Sequence, residues 1–144
     1  MIETSKITDL MLKDHLRLLT ILHKLETSDA FEDKCKIFKI LKIDIEKHFF
    51  IEEKTIFSDF SVRKNEITVY NLYIELAKQH TNILNLLESI KNDIRKNLPP
   101  NFLSIRDNLI NHQRFEEKLI YPKLDEELDD NQKEMIFERI QDIL

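Results

Sequence analysis

Apolar residues recur three and four positions apart along most of the chain, the spacing that lines one face of an α-helix. The first such stretch runs from Ile7 to Glu26 and puts Leu12, His15, Leu18, Leu19 and Leu22 on one face. Thr27, Ser28 and Asp29 follow, short polar residues that end one helix and can cap the next. A second stretch, Phe31 to Asp59, aligns Ile37, Leu41, Ile45, His48, Glu52 and Ile56, and the segment from Phe60 to Asn65 reads as a turn. The third, Glu66 to Lys96, carries Tyr73, Leu76, His80, Ile83, Leu84 and Leu87. Pro99 and Pro100 stop it, since neither can donate a helical hydrogen bond. Asn101 is placed to cap a fourth helix with Ile105, Leu109, His112, Glu116 and Leu119 inward, and Pro122 marks its last turns or a kink. Asn131 to Leu144 reads as a short fifth helix, a lid over one end. Four long helices with short connections predict an all-α, up-down-up-down four-helix bundle with a short C-terminal helix, one domain over residues 1–144.

Composition supports helix and narrows the function. The chain contains no glycine, whereas tight hairpin turns call for residues that tolerate positive φ, so an all-β fold is disfavoured. Its 22 basic and 27 acidic residues are interspersed, giving a net charge of −5 with no basic stripe, which argues against a nucleic-acid surface. Apolar runs are too short to span a bilayer, and the start, Met1 to Lys6, lacks the pattern of a secretory signal. The lone cysteine, Cys35, cannot close an internal disulfide, which fits a reducing cytoplasm. Flanked by Lys34 and Lys36, Cys35 is either a reactive thiol or an inert helix residue.

The chemistry lies in the histidines. Only five occur, and four of them, His15, His48, His80 and His112, fall one per long helix on the apolar stripe. Two have glutamate four residues later, His48-x-x-x-Glu52 and His112-x-x-x-Glu116, so each pair projects from one helix face. One such pair is weak evidence, because 27 acidic residues in 144 make any i+4 position acidic about one time in five. Repetition strengthens it. His80 follows His15 by 65 residues and His112 follows His48 by 64, and His48-Phe-Phe-Ile-Glu-Glu-Lys-Thr-Ile-Phe57 parallels His112-Gln-Arg-Phe-Glu-Glu-Lys-Leu-Ile-Tyr121.

The chain therefore reads as two copies of one helical hairpin, whose pairing brings four imidazoles and two carboxylates together in the core. Two ions sharing Glu52 and Glu116, each with two histidines, use every donor, and this ligand set suits iron, manganese or zinc. Without a cation the two buried carboxylates would be costly. A lone histidine on an apolar stripe is usually a packed core residue; four in register with two glutamates are harder to dismiss.

These motifs, together with Asp14-His15, Gln79-His80 and Ile120-Tyr121-Pro122, resemble the hemerythrin-like (HHE cation-binding) family over residues 13–124. The resemblance implies two non-haem iron ions with carboxylate bridges and an oxo or hydroxo ligand. It makes His15, His48, His80 and His112 terminal ligands, with Glu52 and Glu116 as bridges. Oxygen-carrying hemerythrins have a further histidine in a His-x-x-x-His pair on the third helix, where this chain has Leu76 and Leu84 around His80. His23 is a poor substitute, about 12 Å along the helix from His15 and roughly 80° around it. Fewer histidines leave more positions for water, O2 or NO.

Glu53 and Glu117 are expected to be surface charges, with metal contact as the alternative. Asp44 and Asn108, one turn before His48 and His112, are candidate hydrogen-bond partners for them, with solvent exposure as the equal alternative. Tyr73 and Tyr121 either line the pocket or pack the core. Ferritin-like Glu-x-x-His pairs and the His-Glu-x-x-His zinc motif are absent from the sequence. The expected function is binding or sensing of O2 or a related diatomic such as NO, with Ile51, Ile56, Phe115 and Leu119 restricting water. The alternatives are a diiron enzyme or iron-handling protein acting on peroxide, NO or labile iron, and a metal-free interaction bundle.

Overall fold

The computed structural model describes residues 5–61 and 66–144, with the backbone alone for 59–61. Its elements are α1 (Lys6–Thr27), α2 (Phe31–Ser61), α3 (Ile67–Arg95), α4 (Leu103–Phe115), a π-helical turn (Glu116–Ile120), α5 (Tyr121–Glu127) and α6 (Asp130–Ile143). Helices α1 to α4 pack each on the next, and α4 returns to α1, closing the four-helix bundle. Among the described residues there is no strand, and no helix is long and apolar enough to cross a membrane. The lid helix α6 packs on α1 and α2.

The helix ends follow from local chemistry. Ser5 caps α1 by accepting from the Thr8 amide, and Asp129 with Gln132 forms a capping box that starts α6. Helix α3 ends with Asn97 at φ 56°, while Leu98 N donates to Asp93 O at 2.8 Å and Asn97 N to Ile94 O at 3.2 Å. That is a Schellman turn, in which asparagine takes the left-handed position glycine usually fills. The expected Asn101 cap is not formed: Phe102 stands at the N-cap of α4 without a side-chain bond, and the Asn101 carbonyl instead accepts from Ser104. Helix α2 runs to Ser61, past the expected boundary, and the rest of the expected turn lies outside the described residues.

Among the described residues the core is two apolar clusters. One, around Ile7, Met11, Ile51, Ile56, Leu76, Ile120, Leu124 and Ile140, lies under the lid helix. The other, around Leu18, Leu22, Phe38, Leu41, Ile45, Ile83, Leu87 and Leu109, fills the opposite half. Burying such side chains contributes about 1.5–3 kcal/mol each. Along every long helix the change from one cluster to the other comes at a histidine: Met11 and Leu18 flank His15, Ile45 and Ile51 flank His48, and Leu76 and Ile83 flank His80. The polar layer thus crosses the middle of the bundle.

Candidate metal centre

His15, His48, Glu52, His80, His112 and Glu116 are all buried, and both glutamates are fully so. Each imidazole turns Nε2 inward. His15 Nε2 lies 3.2 Å and His112 Nε2 3.0 Å from Glu116 Oε1, while His48 Nε2 lies 3.1 Å and His80 Nε2 3.4 Å from Glu52 Oε1. Potential ligand atoms of Glu52, His80, His112 and Glu116 fall within 4.8 Å of one another, as do those of His15, His48 and Glu116. Glu116 belongs to both groups. It sits where α4 gives way to the π-helical turn, a distortion often found at functional sites.

Three of the outward Nδ1 atoms have hydrogen-bond partners, while His15 Nδ1 has none and only a carboxylate nearby. Asp14 Oδ2 stands 2.5 Å from His48 Nδ1, Gln79 Oε1 2.8 Å from His112 Nδ1, and Glu53 Oε1 3.3 Å from His80 Nδ1. Glu117 Oε2 lies 3.6 Å from His15 Nδ1. Each supporting residue adjoins a histidine or glutamate of the cluster in sequence yet serves a histidine on another helix. This corrects the expected partners: Asp44 pairs with Arg17, and the Asn108 amide donates to the Ser104 carbonyl. A residue one turn back on the same helix shares its histidine's face, but the Nδ1 edge points across to the neighbouring helix. Glu53 and Glu117, expected at the surface, are partly exposed yet reach these imidazoles.

Tyr121 is fully buried, its hydroxyl donating to Glu52 Oε2 at 3.1 Å and lying 3.1 Å from His15 Nε2. Tyr73 instead packs edge-on against Phe57. His23 is exposed on α1 and lies in neither ligand group. Leu119, expected inward, is 48% exposed. The π-helical turn accommodates an extra residue, so Ile120 and Tyr121 come inward and Leu119 turns out. Glycine-free helical patterning gave no hint of that shift, although the Pro122 kink was the nearest signal.

Electrostatics divides the cluster. Burial works to raise the Glu52 carboxyl, but the His48 charge and the close approach of Glu116, His48 and His80 hold it well below the usual range. Burial and the Glu52 charge push Glu116 well above it. Burial lowers His15 to about 4 and His112 to about 3. It also works against charged His48, yet the Glu52 charge and Asp14 hydrogen bond raise that imidazole to about 9. Burial and the neighbouring carboxylates keep Tyr121 protonated.

Several inward atoms nevertheless lack hydrogen bonds: Nε2 of His48, His80 and His112, Oε1 of Glu52 and Oε2 of Glu116. Buried polar atoms are normally satisfied. Here lone pairs of nitrogen and oxygen from four helices converge, the arrangement a divalent cation satisfies, so the residues present fit a metal.

The fold and site define a helical bundle whose polar mid-layer groups buried histidines and glutamates able to hold a cation. The chain belongs to the hemerythrin family: the model of the hemerythrin HHE cation-binding domain matches residues 6–124. Comparison with curated proteins and with solved structures gives no match.

Proposed function

We propose that this protein holds two non-haem iron ions, one between His15 and His48 and one between His80 and His112, with Glu52 and Glu116 shared, and that it binds or senses O2 or a related diatomic such as NO. The observation that carries this reading is the set of unsatisfied Nε2 and carboxylate atoms grouped around Glu116. A reduced iron pair with open positions supplies affinity for a diatomic. The protein's own part is to hold two histidines per position and leave the remaining positions free of side chains.

Residues around the cluster suit a neutral guest. Phe49 stacks on His80 at 3.7 Å between ring centroids, Phe57 lies 4.8 Å away, and buried Ile51 and Ile56 limit water. A cavity of about 120 Å³ bordered by Gln79, Asn82, Asn108 and Asn111 reaches His112 from the surface. That volume has room for a diatomic. The second reading, an enzyme acting on peroxide or NO or a handler of labile iron, is favoured by Tyr121, which keeps a proton beside Glu52 and His15.

Ferrous loading under nitrogen, metal analysis and absorption spectra before and after O2 and NO test the proposal. About two iron ions per chain and a spectral change with either gas are expected. Full loading without response to either gas would sink the diatomic reading. Sustained consumption of peroxide or NO, or quick surrender of iron to a chelator, would favour the second.

A further inference from the structure

The two halves of the centre are related by the internal repeat, so each residue near one histidine pair has a counterpart near the other. Glu53 and Glu117 correspond and are chemically alike. Three other correspondences are unequal. Asp14, on His48 Nδ1, corresponds to Gln79 on His112 Nδ1. Tyr121, 5.6 Å from the His15 ring at 37°, corresponds to Phe57, 4.8 Å from the His80 ring at 33°. Gln113, whose amide donates to the His15 carbonyl at 3.3 Å, corresponds to Phe49, stacked on His80.

All three differences run the same way. The half built on His15 and His48 has a carboxylate, a phenol and an amide where the half built on His80 and His112 has an amide and two phenyl rings. Arg17 accentuates this. Its guanidinium grips Asp14 at 2.7 Å and Asp44 at 2.6 Å, fixing the Asp14 carboxylate, while Asp44 offsets the added positive charge.

We propose that Asp14 is a positioning residue that makes the His15–His48 position the tighter of two unequal cation positions, leaving the ion between His80 and His112 the more readily lost. This rests on the two-ion reading above. An imidazole that gives its Nδ1 proton to a carboxylate is oriented more firmly and is a stronger donor through Nε2 than one bonded to an amide. The first position also has two carboxylates, Asp14 and Glu117, at its outer nitrogens; the second has one, Glu53. Added negative charge favours a divalent ion most where water is excluded. The phenyl rings around His80 provide no such compensation.

Titration of the metal-free protein with Fe(II) under nitrogen, against a competing chromophoric chelator, tests this. Two ions are expected to bind with affinities at least about tenfold apart. His112→Ala, which leaves the His15–His48 pair complete, should retain the tighter ion, and His48→Ala the weaker. Asp14→Asn should weaken the tight step about tenfold to a hundredfold and leave the other in place; Gln79→Glu should strengthen the weak step alone. Both changes are nearly isosteric, so they decide the matter if the alanine variants fail to fold by circular dichroism. Two ions per chain in the unmodified protein, with the ion kept by each alanine variant held equally tightly, or Asp14→Asn and Gln79→Glu acting equally on both steps, would overturn the inequality and spare the two-ion centre. Fewer than two ions in the unmodified protein would overturn both.

Discussion

Glu52 and Glu116, one from α2 and one from the π-helical turn, divide a single negative charge across the middle of the bundle. Against the cost of burial, the His48 charge holds Glu52 well below the usual carboxylate range; burial and that Glu52 charge push Glu116 well above it. The two glutamates should therefore respond differently to the same change. Glu116→Gln copies the protonated form, so the metal-free protein should melt almost where it did before, while metal uptake falls sharply. Glu52→Gln strips the counter-charge from buried His48 and His80 and should cost roughly 3 kcal/mol or more of metal-free stability. Melting curves of both variants without metal check this; equal losses would contradict the division of charge.

His112 gives a second prediction. It is buried and neutral in the metal-free chain, with burial holding its acidity at about 3. His112→Ala should lower iron content and also the melting temperature of the loaded protein, because ligands that bind only the folded state stabilise it, by about 4 kcal/mol at a thousandfold excess over Kd. The gap in melting temperature between loaded and metal-free protein is the informative quantity. It should shrink in the variant, and an unchanged gap would count against a site at His112.

Asn97 separates fold from site. It ends α3 in the left-handed region, far in sequence from the cluster, and the turn it makes leads into Pro99 and Pro100. A Cβ with no side-chain compensation costs roughly 1–2 kcal/mol there. Asn97→Ala should thus destabilise loaded and metal-free protein alike, and Asn97→Gly should do no harm. Equilibrium unfolding in both states measures it.

Helix positions and the inward histidines were legible because period and chemistry coincide: the same 3.6-residue spacing that buries Leu18 and Leu41 also buries His15 and His48. The repeat made the pairing of hairpins readable as well. Partners of the outer imidazole nitrogens were not, since Asp14 reaches His48 and Gln79 reaches His112 across helix boundaries. A pattern along one helix cannot report a neighbour's rotation. The π-helical turn escaped for a related reason: helical periodicity assumes a constant pitch, so Leu119 was expected inward where Tyr121 enters instead.

Metal loading should release protons near neutral pH. In the metal-free protein His48 stays charged up to about 9, since the Glu52 charge and the Asp14 hydrogen bond overcome burial; His80 is raised against burial by Glu52 and Glu53, and burial with the Glu52 charge pushes Glu116 well above its usual value. A cation needs neutral imidazoles and ionised carboxylates, so protons held by these groups must leave as it enters. Affinity should climb as pH rises toward 9. It should fall on acidification, more steeply near pH 4, where His15 also begins to take a proton. The sign for the metal-free fold is mixed. His48, raised, stabilises it fully below its unfolded value near 6.5, and that contribution disappears as pH rises through about 9. His15 and His112, lowered, refuse protons that the unfolded chain accepts, so they destabilise the fold as pH drops below 6.5. Calorimetric titration with Fe(II) or Zn(II) at pH 7, in two buffers of different ionisation heat, counts the protons directly. Uptake of metal without proton release would show that His48 and Glu116 do not hold the charges assigned to them.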